Sequence, residues 1–162
     1  MVNKTIFTFL ILILSAVGAN AQTGYKTAKE KIKIGGKSIV VKSEVYLNLM
    51  PQIISDDPKE KPDCLKSGSL IAPVTIESAD KLKLPKEIEI KQLWIKSGDV
   101  WQQVQTNKNE TNKKENSIYS IARTCPDEKI NRESLITLVV ELKYKGKSYF
   151  VRSNQTKLMA VY

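Results

Sequence analysis

Residues 135–153, LITLVVELKYKGKSYFVRS, limit more than any other stretch what this chain can fold into. Ile136, Leu138, Val140, Leu142 and Tyr144 alternate with more polar neighbours, so as a strand they share one face. Val and Ile favour that pleated surface. Lys145-Gly146 supplies a two-residue turn, with Gly accepting the positive φ such turns require. This register sets Leu142 opposite Tyr149 and Val140 opposite Val151. A three-residue loop would instead set Val140 opposite Arg152. The apolar match wins, because a one-residue slip turns a whole face towards water. A helix is disfavoured by the β-branched run and by the glycine turn.

The rest of the chain reads as strands able to pack with this hairpin. Residues 29–49 predict a second hairpin about Gly35-Gly36, with Ile32 opposite Ile39. Ile39, Val41, Val45, Leu47 and Leu49 hold one face, which only Ser43 interrupts, while Lys42, Glu44 and Asn48 point outward. Residues 51–69, with Pro51, Pro58, Pro62 and Gly68, form a loop. The Asp56-Asp57 pair within it lacks the spacing of a calcium loop. Residues 70–77 are a strand with Ala72, Val74 and Ile76 in phase, and Pro73 predicts an edge position or a bulge. Further strands are expected over 87–96, 100–105, 118–124 and 157–162, with a turn at Ser97-Gly98. Residues 106–116, TNKNETNKKEN, are wholly polar and read as a mobile loop. Residues 126–134 are a polar connection. About eight short strands and no helix predict an all-β fold, a two-sheet antiparallel β-sandwich. A small β-barrel is the alternative.

Lys4 precedes an apolar run over residues 6–17, and Ala19-Asn20-Ala21 follows as a small-x-small cleavage signal. This is the pattern of a secretory signal peptide over residues 1–21. The run falls short of the roughly 20 apolar residues that span a bilayer. No cysteine follows it to take a lipid. The mature chain, residues 22–162, is expected to begin at Gln22, to form a single domain and to work as a secreted or periplasmic protein without a transmembrane segment. Cys64 and Cys125 are the only cysteines. An even count in an exported chain predicts a disulfide between them. The order Cys64, Trp94, Cys125 resembles that of immunoglobulin domains, and the sandwich is expected to be immunoglobulin-like in general shape. Cys64 falls in a loop before its strand, however, and the likeness implies no function.

The formal charge is +9, and removing the segment with Lys4 leaves 9 − 1 = +8. A basic exported protein can meet an anionic envelope surface, but an ordinary solvated surface is the reading that its scattered lysines favour. Its lysines are scattered, and no specific nucleic-acid module is legible. The chain has no histidine, which removes Ser-His-Asp and Cys-His nucleophilic catalysis and His-ligated metal sites. The two cysteines alone make a poor zinc site. Glu87 and Glu89 share the solvated side of one strand and do not face each other as a glycosidase pair would. No catalytic residue, metal ligand or cofactor is assigned, and the protein is read as a non-enzyme.

Two functions remain. One is an exported binding module for glycan or a cell-envelope partner. The other is a periplasmic inhibitor, immunity protein or assembly factor acting on one protein partner. Ile88 and Ile90 are out of phase with Leu93 and Ile95, so a β-bulge near Lys91-Gln92 is needed to turn both pairs inward. Trp94 then falls opposite Trp101 on the outer face, beside Gln103. These three residues are the candidate ligand-binding set: indole faces stack on a sugar ring and the amide hydrogen-bonds to it. The competing reading buries the indoles under a loop or in the core.

Overall fold

A computed structural model describes residues 24–50, 68–104, 106 and 111–162. The 135–153 stretch forms strands β9 (Leu135–Tyr144) and β10 (Lys147–Arg152), with Leu142 opposite Tyr149 and Val140 opposite Val151, as the apolar matching requires. Lys145 and Gly146 both take positive φ, 47° and 77°. That is the backbone of a turn whose twist suits a two-residue hairpin, and it holds a lysine in a region L-residues seldom occupy.

Strand β9 is the centre of the first of two sheets. On one side it pairs with β10 and with the short β11 (Thr156–Lys157). On the other it pairs with β5 (Glu89–Ser97), which in turn pairs with β6 (Val100–Val104). The β5–β9 register runs from Ile90 opposite Leu142 to Gln92 opposite Glu141, so Lys91 is the extra residue of a bulge. The bulge brings Ile88, Leu93 and Ile95 together in the core, each fully buried, and leaves Ile90 packed against it.

The β5–β6 turn differs from the expected one. Ser97 faces Val100, so the turn residues are Gly98 and Asp99. Gly98 has φ 55° and occupies the first central position, which in a two-residue hairpin calls for glycine. The register gain is Leu93 opposite Val104, both buried.

In the second sheet β4 (Ser69–Ser78) is central, with Leu70, Ala72, Val74 and Ile76 inside. Along one edge β4 pairs with β8 (Ser117–Thr124), and β8 with β7 (Asn112–Lys113). β7 gives structure to part of the polar 106–116 stretch expected to be loop throughout. Along its other edge β4 meets two strands in succession, β2 (Lys37–Ser43) and β3 (Tyr46–Asn48). β1 (Lys31–Ile34) pairs with β2 about the Gly35-Gly36 turn, Ile32 facing Ile39, and β12 (Met159–Val161) pairs in parallel with β3.

Pro73 therefore lies in the middle of a central strand, not at an edge or a bulge. It fits because the second hairpin arm breaks between Ser43 and Tyr46. The Ser43 hydroxyl donates to the Pro73 carbonyl at 2.9 Å, and a strand residue turns its N–H to the same side as its C=O. The N–H that proline lacks would thus have pointed into the break, where no ladder partner stands.

The sheets pack face to face over a core that runs from Ile34 and Ile39 through Leu70 and Ile76 to Leu138 and Leu142. Single bridges join their edges, Lys29 with Val151 and Thr106 with Ala122. Among the described residues no ladder closes them into a barrel, and the architecture is an antiparallel β-sandwich. The only helical element among the described residues is a 3-10 turn, Gly24–Thr27. The 1–21 segment and Cys64 lie outside the described residues.

Candidate functional site

Burying Leu93 and Ile95 obliges Trp94 to point out of the sandwich, because side chains alternate along β5. The Gly98-Asp99 turn sends Trp101 to the same outer face. The indoles do not stand directly opposite each other, which corrects the sequence expectation, but lie diagonally: Trp94 faces Gln103 and Trp101 faces Lys96. All three candidate residues thus share one face, both indoles half-buried and Gln103 exposed.

Three further residues complete this patch. Val139 faces Trp94 across the β5–β9 ladder. It points outward, yet it is only 1% exposed and is not part of the main core. It is the floor of a small second core on the outside of the sheet. Phe150 of β10 stands beside it, its ring 5.9 Å from that of Trp94. Tyr25, from the 3-10 turn, lies over the indoles. Its ring stacks on Trp94 at 4.9 Å with 13° between the planes, and meets Trp101 edge-on at 4.8 Å. These distances are those of favourable aromatic pairs.

Glycine is required where the turn crosses the sheet. A Cβ on Gly24 would collide with the Phe150 ring, so the backbone approaches too closely for a side chain. The turn is closed by Thr27 donating to the Gly24 carbonyl at 3.2 Å and continues to Lys29, whose carbonyl accepts from the Arg152 amide at 2.9 Å. Cations flank the aromatics: Lys96 Nζ lies 5.7 Å from the Trp101 ring centre and Lys26 Nζ 6.0 Å from that of Tyr25. Both lie at about the outer limit of cation–π attraction.

The neighbouring amide has a different task. Gln102 points to the sandwich edge, donates to Thr124 Oγ1 at 3.0 Å and to the Cys125 carbonyl, and accepts from the Asp127 amide at 3.1 Å. It joins β6 to the chain leaving β8. The patch therefore offers a π surface, an exposed amide and two ammonium groups, the equipment of a stacking and hydrogen-bonding site.

Sequence reasoning reached Trp94, Trp101 and Gln103 but not Tyr25, Phe150 or Val139. For the last two a signal existed. Val139 and Phe150 are apolar residues at outward positions of strands whose inward positions are already apolar. Tyr25 carries no comparable mark.

Among the described residues no group of three or more Cys, Asp or Glu could hold a metal ion, and no helix is long and apolar enough to cross a membrane. No family model matches the chain, and no curated protein matches it either.

Proposed function

We propose that this is an exported, non-enzymatic binding protein whose contact surface is the outer aromatic face around Trp94, Trp101 and Gln103, with glycan as the ligand. The observation that carries this reading is the position of the two indoles. They lie outside the main core, half-buried with the Tyr25 ring packed over them, on the same face as a solvent-facing amide. A sugar ring presents an apolar face to stack on an indole and hydroxyls to pair with an amide. Lys96 beside Trp101 extends the range of partners to acidic sugars, in keeping with the basic charge of the chain. Export rests on the signal-like segment at residues 1–21.

The test is titration of the mature protein with bacterial cell-wall and lipopolysaccharide glycans while tryptophan emission is followed. Saturable quenching that Trp101→Ala and Gln103→Ala each weaken supports the site. If neither variant changes binding, or no glycan is bound, the reading is wrong.

One observation favours the second reading, a single protein partner. The outer face of the β4 sheet is unusually apolar: Met159 is 42% and Tyr119 39% exposed, and Tyr46, Ile71 and Ile121 are half-buried beside them. Exposed apolar patches often mark protein contacts. Recovery of one stoichiometric protein from periplasmic extract, lost on Met159→Asp or Tyr119→Asp, would favour this reading over the first.

A further inference from the structure

The break between β2 and β3 that admits Pro73 also opens a cavity of about 360 Å³ through the sheet. This is at the small end of the roughly 300–1,000 Å³ typical of ligand sites. Its walls come from both faces of the sheet and from the opposite layer. Strand alternation puts Ser43 on the inner face and Lys42 and Thr75 on the outer, while Ser153 and Asn154 belong to the connection between β10 and β11, and Thr156 opens β11.

The walls are mixed: Val41 and Pro73 are apolar, Lys42 and Glu44 are charged, and the rest carry hydroxyl or amide side chains. Three residues carry hydroxyl or amide side chains, Thr75, Asn154 and Thr156, that make no hydrogen bond among the described residues. Ser43 is held by the Pro73 carbonyl and Ser153 by the Leu138 amide, and each hydroxyl oxygen keeps a free lone pair. The two charged groups oppose each other in sign and are engaged already. Lys42 pairs with Glu77 at 2.5 Å, and the Glu44 carboxylate accepts from the Tyr46 hydroxyl. A free anion would meet Glu44 and a free cation Lys42, so neither class is selected. What fits is a small neutral molecule that both donates and accepts at several points.

We propose that this cavity is a second binding site, separate from the aromatic face and on the other sheet, for one neutral polyhydroxylated unit such as a monosaccharide. The break in the sheet supplies the room, and Thr75, Asn154 and Thr156 supply the unspent hydrogen bonds. Because it uses none of Tyr25, Trp94 or Trp101, the site stands or falls independently of the function proposed above.

Isotope-labelled mature protein titrated with glucose, galactose and N-acetylglucosamine tests it by amide chemical shifts, with sodium sulfate as the anionic control. At least one sugar is expected to give saturable, millimolar shifts centred on Ser43, Thr75 and Asn154. Thr75→Val and Asn154→Ala, the latter at an exposed position that folding does not need, are each expected to weaken that binding by about 3- to 10-fold, the cost of one hydrogen bond. The proposal is overturned if no sugar saturates these shifts or if neither variant changes the affinity. Saturation by sulfate in place of sugar, or shifts confined to the Trp94 and Trp101 face, would overturn it equally.

Discussion

Tyr25 lies flat on Trp94, its ring 4.9 Å away and inclined by 13°, and so ties the start of the described chain to the outer face of a sheet formed much later in sequence. Val139, which faces Trp94 on this outward side, is only 1% exposed, so the aromatic cluster around Trp94 keeps it dry. Tyr25→Ala is therefore expected to cost about 1–3 kcal/mol, combining the lost aromatic pair with the apolar surface returned to water, and to shift tryptophan emission to the red. Gly24→Val should reproduce the red shift, because its side chain would collide with Phe150. Unchanged emission in both variants would mean that the turn does not cap the indoles in solution.

Leu138 and Val139 are adjacent and equally buried, but they belong to different cores. Leu138 is fully inside the sandwich, and Leu138→Ala is expected to cost about 2–4 kcal/mol through lost transfer energy and a cavity. The same holds in kind for Val140, also fully buried in the main core. Val139→Ala should be milder and should not add to Tyr25→Ala, since both remove the same outer contact. Denaturation midpoints of the two single variants and the double variant decide this. Full additivity would mean that Val139 is not covered by the turn.

The fold was legible in the sequence wherever a face was wholly apolar. The Val140–Val151 register and the Lys91 bulge both follow from the need to keep one set of side chains dry. Where two registers both keep the core apolar, alternation does not choose between them. The β5–β6 turn was misplaced by one residue for that reason, and the decision lay in Gly98 at the first turn position. Pro73 misled for a different reason: a proline predicts a missing ladder bond, and here the sheet itself supplies the gap. For the site, the indoles and Gln103 could be placed on one face. Their cover could not, because Tyr25 reaches them through tertiary packing that leaves no periodic trace.

Two buried serines should respond in opposite ways. Ser153 Oγ accepts from the Leu138 amide at 3.0 Å and donates to the Asn154 carbonyl at 2.8 Å, extending the β9–β10 ladder by one side-chain rung. Ser153→Ala orphans that amide and should cost about 1–3 kcal/mol. Ser78 Oγ is buried with no hydrogen-bond partner among the described residues, so Ser78→Ala should be neutral or stabilise by up to about 1 kcal/mol. Equal losses in the two variants would contradict these assignments.

The Glu133–Lys157 pair, 2.8 Å apart, pins β11 beside the start of β9. The Lys157 ammonium, first by its hydrogen bond and then by its charge, holds the Glu133 carboxyl below its ordinary value. A carboxyl lowered on folding stabilises above its unfolded pKa and loses that contribution as pH falls through its folded pKa. The stability difference between wild type and Lys157→Ala should accordingly be present at neutral pH, fade on acidification below the usual carboxylate range, and shrink in high salt, because both groups are exposed. A difference independent of both pH and salt would assign the effect of Lys157 to packing.

The disulfide expected between Cys64 and Cys125 is tested by mass. Cys64 lies outside the described residues, and no cysteine among the described residues is free. Cys125 follows directly on β8, and the Gln102 amide donates to its carbonyl. A bridge there would fasten residue 64 to the strand that flanks central β4. Closing a loop of that length should stabilise by about 4 kcal/mol, through the entropy removed from the unfolded chain. Intact mass of the exported protein should therefore show two alkylatable thiols only after denaturation and reduction. Reduction should lower the denaturation midpoint, and Cys64→Ser with Cys125→Ser should lower it equally, because each treatment removes the same constraint. Two thiols that alkylate without reductant would show that no bridge forms. A midpoint that reduction leaves unmoved would show that a bridge, if formed, constrains nothing in the unfolded state.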